Sequence, residues 1–191
     1  MTIIEEIKDI EQILFDHKFD SYKFDTKAIM REALSMSDAE IIARYSDQMP
    51  KKADRIARKM LRKRLWHMPL AYITGKQGFM KMEFNVGRGV LIPRSDTEIV
   101  VEKAMEKYKE LNNNDEENHE GLILDMCTGS GCIALSLAKE FPNAKVIGVD
   151  VSKRALKYAN SNKELNKITN CEFMRSNLFD EFREGSKVKE E

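Results

Sequence analysis

The chain has 191 residues, 32 of them Lys or Arg and 32 Asp or Glu, so its formal net charge is zero; about 42% are apolar and 34% charged. That length suits one medium domain beside a small one, and the composition is globular rather than disordered or collagenous. Zero net charge removes the simplest electrostatic case for binding nucleic acid or an anionic membrane, leaving only local patches. No apolar run approaches the roughly 18 residues that cross a bilayer. The start, Met1 to Gln12, carries acids where a signal peptide carries basic residues, which predicts a cytoplasmic protein without a membrane partner. Cys127, Cys132 and Cys171 form no C-x-x-C pair, and His17, His67 and His119 are scattered, which argues against a disulfide framework and a metal site.

From Thr2 to about His67 apolar residues return every three or four positions, the period of amphipathic helices. Ile3, Ile4, Ile7, Ile10, Ile13 and Leu14 form one stripe, and Ala28, Ile29 and Leu34 belong to a second. Ser37-Asp38-Ala39-Glu40 has the spacing of a capping box and predicts a third helix through Ile41, Ile42 and Tyr45. A fourth follows Pro50, with Ala53, Ile56, Ala57, Met60, Leu61 and Leu65 inward. It carries eight basic residues among the fourteen from Lys51 to Arg64, in the positions the apolar stripe leaves free, which predicts a solvated outer face. The same cluster could dock an acidic partner or an RNA backbone, with a field but no specificity; nucleic acid is the less favoured partner.

Between Pro69 and Pro93 the period changes to two: Phe79, Lys81, Glu83 and Asn85 alternate with Met80, Met82, Phe84 and Val86. A β-hairpin is expected here, turning at Gly87-Arg88-Gly89 into Val90, Leu91 and Ile92. Ser95-Asp96-Thr97-Glu98 reads as a second capping box, opening a helix to about Leu111. The polar stretch from Asn112 to Glu120 predicts a loop. Strand and helix then alternate: strands over 121–126, 145–150 and 171–175, helices over about 132–140 and 153–165, with a charged run from Glu184 to Glu191. The fold class is therefore α/β: a small N-terminal helical bundle, a hairpin, and a βαβαβ half of a Rossmann-like sheet. The expected divisions are 1–75, a hairpin linker 76–94, and a ligand-binding domain 95–191.

The chemistry is concentrated in Leu124-Asp125-Met126-Cys127-Thr128-Gly129-Ser130-Gly131, a Gly-rich turn from strand into helix. Its two glycines let the backbone approach a ligand, and the helix N-terminus offers free N–H groups. Asp150 closes the next strand, where a carboxylate can accept both hydroxyls of a ribose. Gly129 to Ala134 also matches the dinucleotide pattern G-x-G-x-x-G/A. Asp125 separates the two ligands: its carboxylate would repel the pyrophosphate of NAD, whereas S-adenosylmethionine brings an ammonium and a sulfonium to that place. The residues favour S-adenosylmethionine.

Together with Pro69 to Gly75, Gly89 to Glu98, Leu122 to Leu135 and Gly148 to Ser152, in that order, these motifs resemble the HemK/PrmC family of release factor (glutamine-N5) methyltransferases. The resemblance covers essentially the whole chain, and the Ile92-Pro93-Arg94-Ser95-Asp96-Thr97-Glu98 segment narrows it most. It implies transfer of a methyl group from S-adenosyl-L-methionine to the side-chain amide of the glutamine in the Gly-Gly-Gln loop of peptide-chain release factors. By resemblance, Asp125, Met126, Cys127, Thr128, Gly129, Ser130 and Gly131 wrap the methionine end of the cofactor. Asp150 holds the ribose, Asn177 and Leu178 meet the adenine, and Pro93, Arg94, Thr97 and Glu98 rim the active site. The helical domain helps to dock the release factor.

Three departures stand out. Cys127 occupies a position where glycine is common, which is tolerable if φ there is negative. Asn177 replaces the usual aspartate, keeping an acceptor for the adenine amino group without its charge. The family's catalytic Asn-Pro-Pro-Tyr motif is absent: the four prolines are Pro50, Pro69, Pro93 and Pro142, and no two are adjacent. No catalytic residue is therefore assigned, and the expectation is a form cut short before the strand that carries the motif, inactive by itself, with Leu122 to Met126 at an open sheet edge. Two other readings are a non-catalytic module that binds the release factor or cofactor, and a methyltransferase acting on nucleic-acid amino groups.

Overall fold

The computed structural model describes residues 1–112 and 121–182, so most of the expected loop 112–120 and the charged run 184–191 lie outside the described residues. The chain divides into two units, Met1–Thr74 and Gly75–Glu191.

The first unit is helical: α1 (Ile3–Asp16), α2 (Tyr22–Leu34), α3 (Asp38–Ala43), α4 (Lys51–Leu65) and α5 (Leu70–Thr74). Thr2 and Ser37 each close a full capping box, with Glu5 and Glu40 respectively, so α1 and α3 begin where two N–H groups are satisfied locally. The core joins Ile3, Ile10 and Leu14 of α1 to Ile29, Met30 and Ala33 of α2, Ile41 of α3, and Ala57 and Leu61 of α4. Burying each Ile or Leu contributes about 1.5–3 kcal/mol, which no short helix could supply alone. The short α5 replaces part of the extended stretch expected after Pro69. Tyr72 and Ile73 donate to the Pro69 carbonyl, starting a single turn, and Gly75 at φ +79° ends it.

The basic residues of α4 are not all on the outer face, contrary to expectation. Arg58 reaches the fully buried Glu6 at 2.7 Å and Asp9 at 2.6 Å. Arg64 pairs with Asp25 at 2.7 Å, and its guanidinium lies 4.3 Å from the centre of the Phe19 ring. Two acids on the inward faces of α1 and α2 had to be neutralised, and these two arginines do it. Burial pushes the Glu6 carboxyl above its ordinary range, and Arg58 pulls it partly back.

The second unit opens with an antiparallel hairpin of β1 (Lys76–Phe79) and β2 (Met82–Asn85). Its turn is Met80-Lys81, at φ +47° and +58°, rather than Gly87-Arg88-Gly89. Both central residues take the left-handed angles of a type I′ turn without glycine. Glu98 explains how: its Oε1 accepts the Met80 N–H at 2.6 Å. Residues 90–92 are not a strand. Helix α6 (Ser95–Leu111) does begin at Ser95, but its N-cap is Arg94 with no side-chain cap, so the second capping box is corrected: Glu98 serves the hairpin.

Strands β3 (Leu122–Met126), β4 (Lys145–Asp150) and β5 (Cys171–Arg175) form a parallel sheet in the order β3-β4-β5, joined by α7 (Cys132–Glu140) and α8 (Lys153–Leu165). This is the βαβαβ arrangement read from the sequence, with the expected helix limits kept. Val146 of β4 and Ala134 and Leu135 of α7 are buried, as are Phe141 at the C-cap of α7 and Val149, which the alternation of a strand turns to the opposite face of β4. Among the described residues β3 lies at one edge, where Leu122 is 63% exposed. No helix among the described residues is long and apolar enough to cross a membrane.

Candidate cofactor site

In a parallel sheet, ligands are bound beyond the carboxyl ends of the strands, because the loops into the following helices gather there. Here the chain leaves β3 through Cys127, Thr128, Gly129, Ser130 and Gly131, at φ +62° for Cys127, +57° for Gly129 and +80° for Gly131. Thr128 donates its N–H to the Val149 carbonyl at 2.9 Å, which pins the turn to the end of β4. The expectation of a negative φ at Cys127 is thus overturned. The chain must reverse out of β3 before Thr128 can meet β4, and the thiol is turned outward, where it is exposed.

The two glycines have different reasons. A Cβ on Gly131 would meet the Phe173 ring at 2.8 Å and the Ala159 Cβ at 3.1 Å, so this position is small because α7 starts against α8 and β5. A Cβ on Gly129 would have only the Cys127 carbonyl within reach, at 3.9 Å. Gly129 is therefore the open position, with backbone exposed to an approaching ligand.

Asp125 is buried, and its Oδ2 accepts the Thr128 hydroxyl at 2.6 Å and the Ala134 N–H at 3.2 Å. Ala134 is in the first turn of α7, where the helix dipole favours an anion. Burial holds the carboxyl above its ordinary range; the bonds from Thr128 and Ala134 pull it down, and the charge of Asp150 adds to the rise. Asp125 thus shapes the turn and places negative charge under it. Asp150 closes β4 and is half-buried: Oδ2 accepts the Gly129 N–H at 2.9 Å and Oδ1 the Ser152 N–H at 2.8 Å. Each oxygen keeps a second lone pair for a ligand hydroxyl.

At the end of β5, Ser176 donates its N–H to the Asp150 carbonyl at 3.3 Å, setting Asn177 and Leu178 beyond the same strand ends. Asn177 is exposed, and its Nδ2 donates to Asp180 at 3.1 Å. Leu178, at φ +53°, is 54% exposed. The structure thus gathers Asp125 to Gly131, Asp150, Asn177 and Leu178 at one sheet end. Among the described residues, no hydrogen bond ties Pro93, Arg94, Thr97 or Glu98 to this turn; Pro93 is buried, Thr97 donates to the Arg94 carbonyl, and Glu98 holds the hairpin.

Asn162 of α8 was not singled out from the sequence. It is fully buried, donates through Nδ2 to the carbonyls of Ser130 at 2.9 Å and Asn85 at 3.1 Å, and accepts the Asn85 N–H at 2.6 Å. One side chain therefore joins the Gly-rich turn to β2. Gly148, the first residue of the Gly148 to Ser152 motif, supports the turn: a Cβ there would meet Phe173 at 2.5 Å and the Thr128 hydroxyl at 2.8 Å, so β4 is kept bare for the turn to lie on it. Among the described residues no group of three His, Cys, Asp or Glu side chains is placed to hold a metal ion.

Residues 117–188 match the family model of a methyltransferase domain, and residues 5–75 that of the PrmC N-terminal domain. A release factor glutamine methyltransferase of Thermodesulfovibrio yellowstonii is 44% identical over 127 residues, covering 66% of this chain and 44% of the relative. Its counterpart in Fusobacterium nucleatum is 37% identical over 156 residues, covering 81% and 42%. Among solved structures, the precorrin-6y C5,15-methyltransferase of Geobacter metallireducens is similar at a TM-score of 0.37 and 11% identity, over 49% of this chain and 44% of that one.

The α/β unit with its Gly-rich turn thus resembles a methyltransferase domain over residues 117–188. With the N-terminal match beside it, the chain resembles the HemK/PrmC family, the release factor glutamine methyltransferases, in both of its units. Its matches span less than half the length of the two relatives named.

Proposed function

We propose that the chain is the docking and cofactor-holding part of an S-adenosylmethionine-dependent methyltransferase acting on the Gly-Gly-Gln glutamine amide of peptide-chain release factors, in the cytoplasm. The observation that carries the reading is the bond from the Gly129 N–H to Asp150 Oδ2 at 2.9 Å: it sets an open glycine backbone, with buried Asp125 beneath it, beside a carboxylate at the next strand end. These residues suit the cofactor. Asp125 and the turn to Gly131 hold its cationic methionine end, Asp150 takes the ribose hydroxyls, the Asn177 carbonyl oxygen accepts from the adenine amino group, and Leu178 offers an apolar surface to the ring. When bound, the cofactor supplies a methyl group on a sulfonium as the electrophile. Residues 1–75 dock the protein substrate, and Pro93, Arg94, Thr97 and Glu98 rim its path.

A glutamine amide nitrogen is a poor nucleophile, because its lone pair is delocalised into the carbonyl, so acceptors must orient its two hydrogens. In the family the Asn-Pro-Pro-Tyr motif supplies them, and these 191 residues contain no such motif. The isolated chain is therefore expected to bind cofactor without methylating release factor. Turnover by the 191-residue chain would refute the need for the motif.

The test of the site is thermal unfolding with S-adenosylmethionine. Ligand at a hundred times its dissociation constant stabilises by about 2.7 kcal/mol. Asp150→Asn can keep the bond from Ser152 but turns its NH2 toward the Gly129 N–H and loses the anionic acceptor, and its shift should fall sharply. No shift at millimolar cofactor, or an equal shift with NAD, would end the cofactor reading.

A further inference from the structure

With Arg58 and Arg64 turned to buried acids, six cations remain on α4: Lys51, Lys52, Arg55, Lys59, Arg62 and Lys63. Among the described residues none of the six enters an ion pair, and all but the half-buried Lys63 are exposed. At 3.6 residues per turn they fall within an arc of about 120°, opposite the buried Ala53, Ala57 and Leu61. Each turn presents at least one charge along about 18 Å of helix. Trp66, the C-cap of α4, continues the same register near the middle of the arc and is 84% exposed. Trp66 thus places a large indole in water at the end of an unneutralised cationic stripe, the largest fractional exposure among the exposed large hydrophobic side chains of the described residues.

We infer that this face of α4 binds a single-stranded nucleic acid, its phosphates along the six cations and a base stacked on Trp66. The composition of the face selects this occupant over an acidic protein. Protein interfaces have an apolar core and are depleted in lysine, whereas this arc has four lysines, two arginines and no aliphatic residue. Cations at helical spacing with one flat aromatic are the elements of sequence-tolerant single-strand binding. The zero net charge of the chain does not oppose it, since the field of an unpaired cluster acts within about a Debye length, roughly 8 Å at physiological salt.

The experiment uses the full 191-residue chain and a fluorescein-labelled, unstructured 15-nucleotide RNA, read by anisotropy and by the emission of Trp66, the chain's only tryptophan. Expected is binding whose log–log salt slope is about −3 to −4, near the limit for six phosphates neutralised on a single strand, with quenching of the indole. Trp66→Ala should weaken binding about fivefold to a hundredfold at an unchanged slope, the loss of one stacked base. The exposed pair Lys59→Ala/Arg62→Ala should make the slope shallower by about 1.4. No binding at 50 mM salt, an unquenched indole with wild-type affinity in Trp66→Ala, or oligoglutamate of equal charge competing as well as RNA would each overturn the proposal, the last in favour of an acidic protein partner.

Discussion

Cys127 holds a backbone angle, φ +62°, that favours glycine, at the point where the chain turns out of β3. A side chain there costs on the order of 1–2 kcal/mol, offset in part because glycine loses more freedom on folding. Cys127→Gly should therefore change stability by less than about 1 kcal/mol, while the β-branched Cys127→Val should lose about 1–2 kcal/mol in a urea titration. Asn162 makes the opposite case, a side chain that cannot be spared. Asn162→Ala leaves the Asn85 N–H and the carbonyls of Asn85 and Ser130 without their partner, and a loss of about 2–4 kcal/mol is expected with a smaller cofactor-induced shift. Its position was legible in the sequence, since it falls on the Ala155–Ala159 stripe of α8, where a polar residue must find partners inside. The angle at Cys127 was not, because it follows from the bond between Thr128 and β4, which no local pattern records.

Elements with a sustained period were the readable part of this chain. The limits of α7, β4, α8 and β5 follow from runs of apolar residues broken by Gly, Pro or Asn, and the Ser37 capping box is a local signal that the helix obeys. What failed was pairing across distance. Ser95-Asp96-Thr97-Glu98 has the letters of a capping box, yet Glu98 is drawn to a hairpin turn eighteen residues earlier, and that bond lets Met80-Lys81 turn without glycine. Likewise the amphipathic pattern of α4 assigns Arg58 to solvent, because Glu6 lies 52 residues away and sits on an apolar stripe. The Glu6–Arg58 bond invites a double-mutant cycle between α1 and α4. Arg58→Met strands a buried carboxylate and should lose about 3–5 kcal/mol, whereas Glu6→Leu/Arg58→Met should recover most of it. The sign with pH follows. Arg58 lowers a carboxyl that burial raises, so its removal raises the pKa further, and the deficit of Arg58→Met should shrink as pH falls through that raised value and the native state takes up a proton.

At the scale of the molecule, the two units are cored by different chemistry. The first buries two acids against arginines and has no cysteine; the second carries all three thiols, Cys132 and Cys171 buried and Cys127 exposed. Burial pushes the Cys132 thiol from 9.0 up to about 11 and Cys171 up to about 12. A thiol that ionises less readily when folded adds stability that is fully present below the unfolded value and lost as pH rises toward the folded one, because the unfolded chain releases its proton first. Between pH 8.5 and 10.5 each buried thiol should remove on the order of 1–2 kcal/mol from the second unit and nothing from the first. Comparing Cys171→Ala with the parent isolates this effect from lysine and tyrosine titration: the variant starts less stable, through its lost side-chain packing, but declines less steeply with pH. Hydrogen exchange followed by mass spectrometry reads the units separately at each pH. Parallel slopes for variant and parent across that window would show that Cys171 ionises as readily inside the sheet as in the unfolded chain, and that the packing around β5 leaves its thiol open to water.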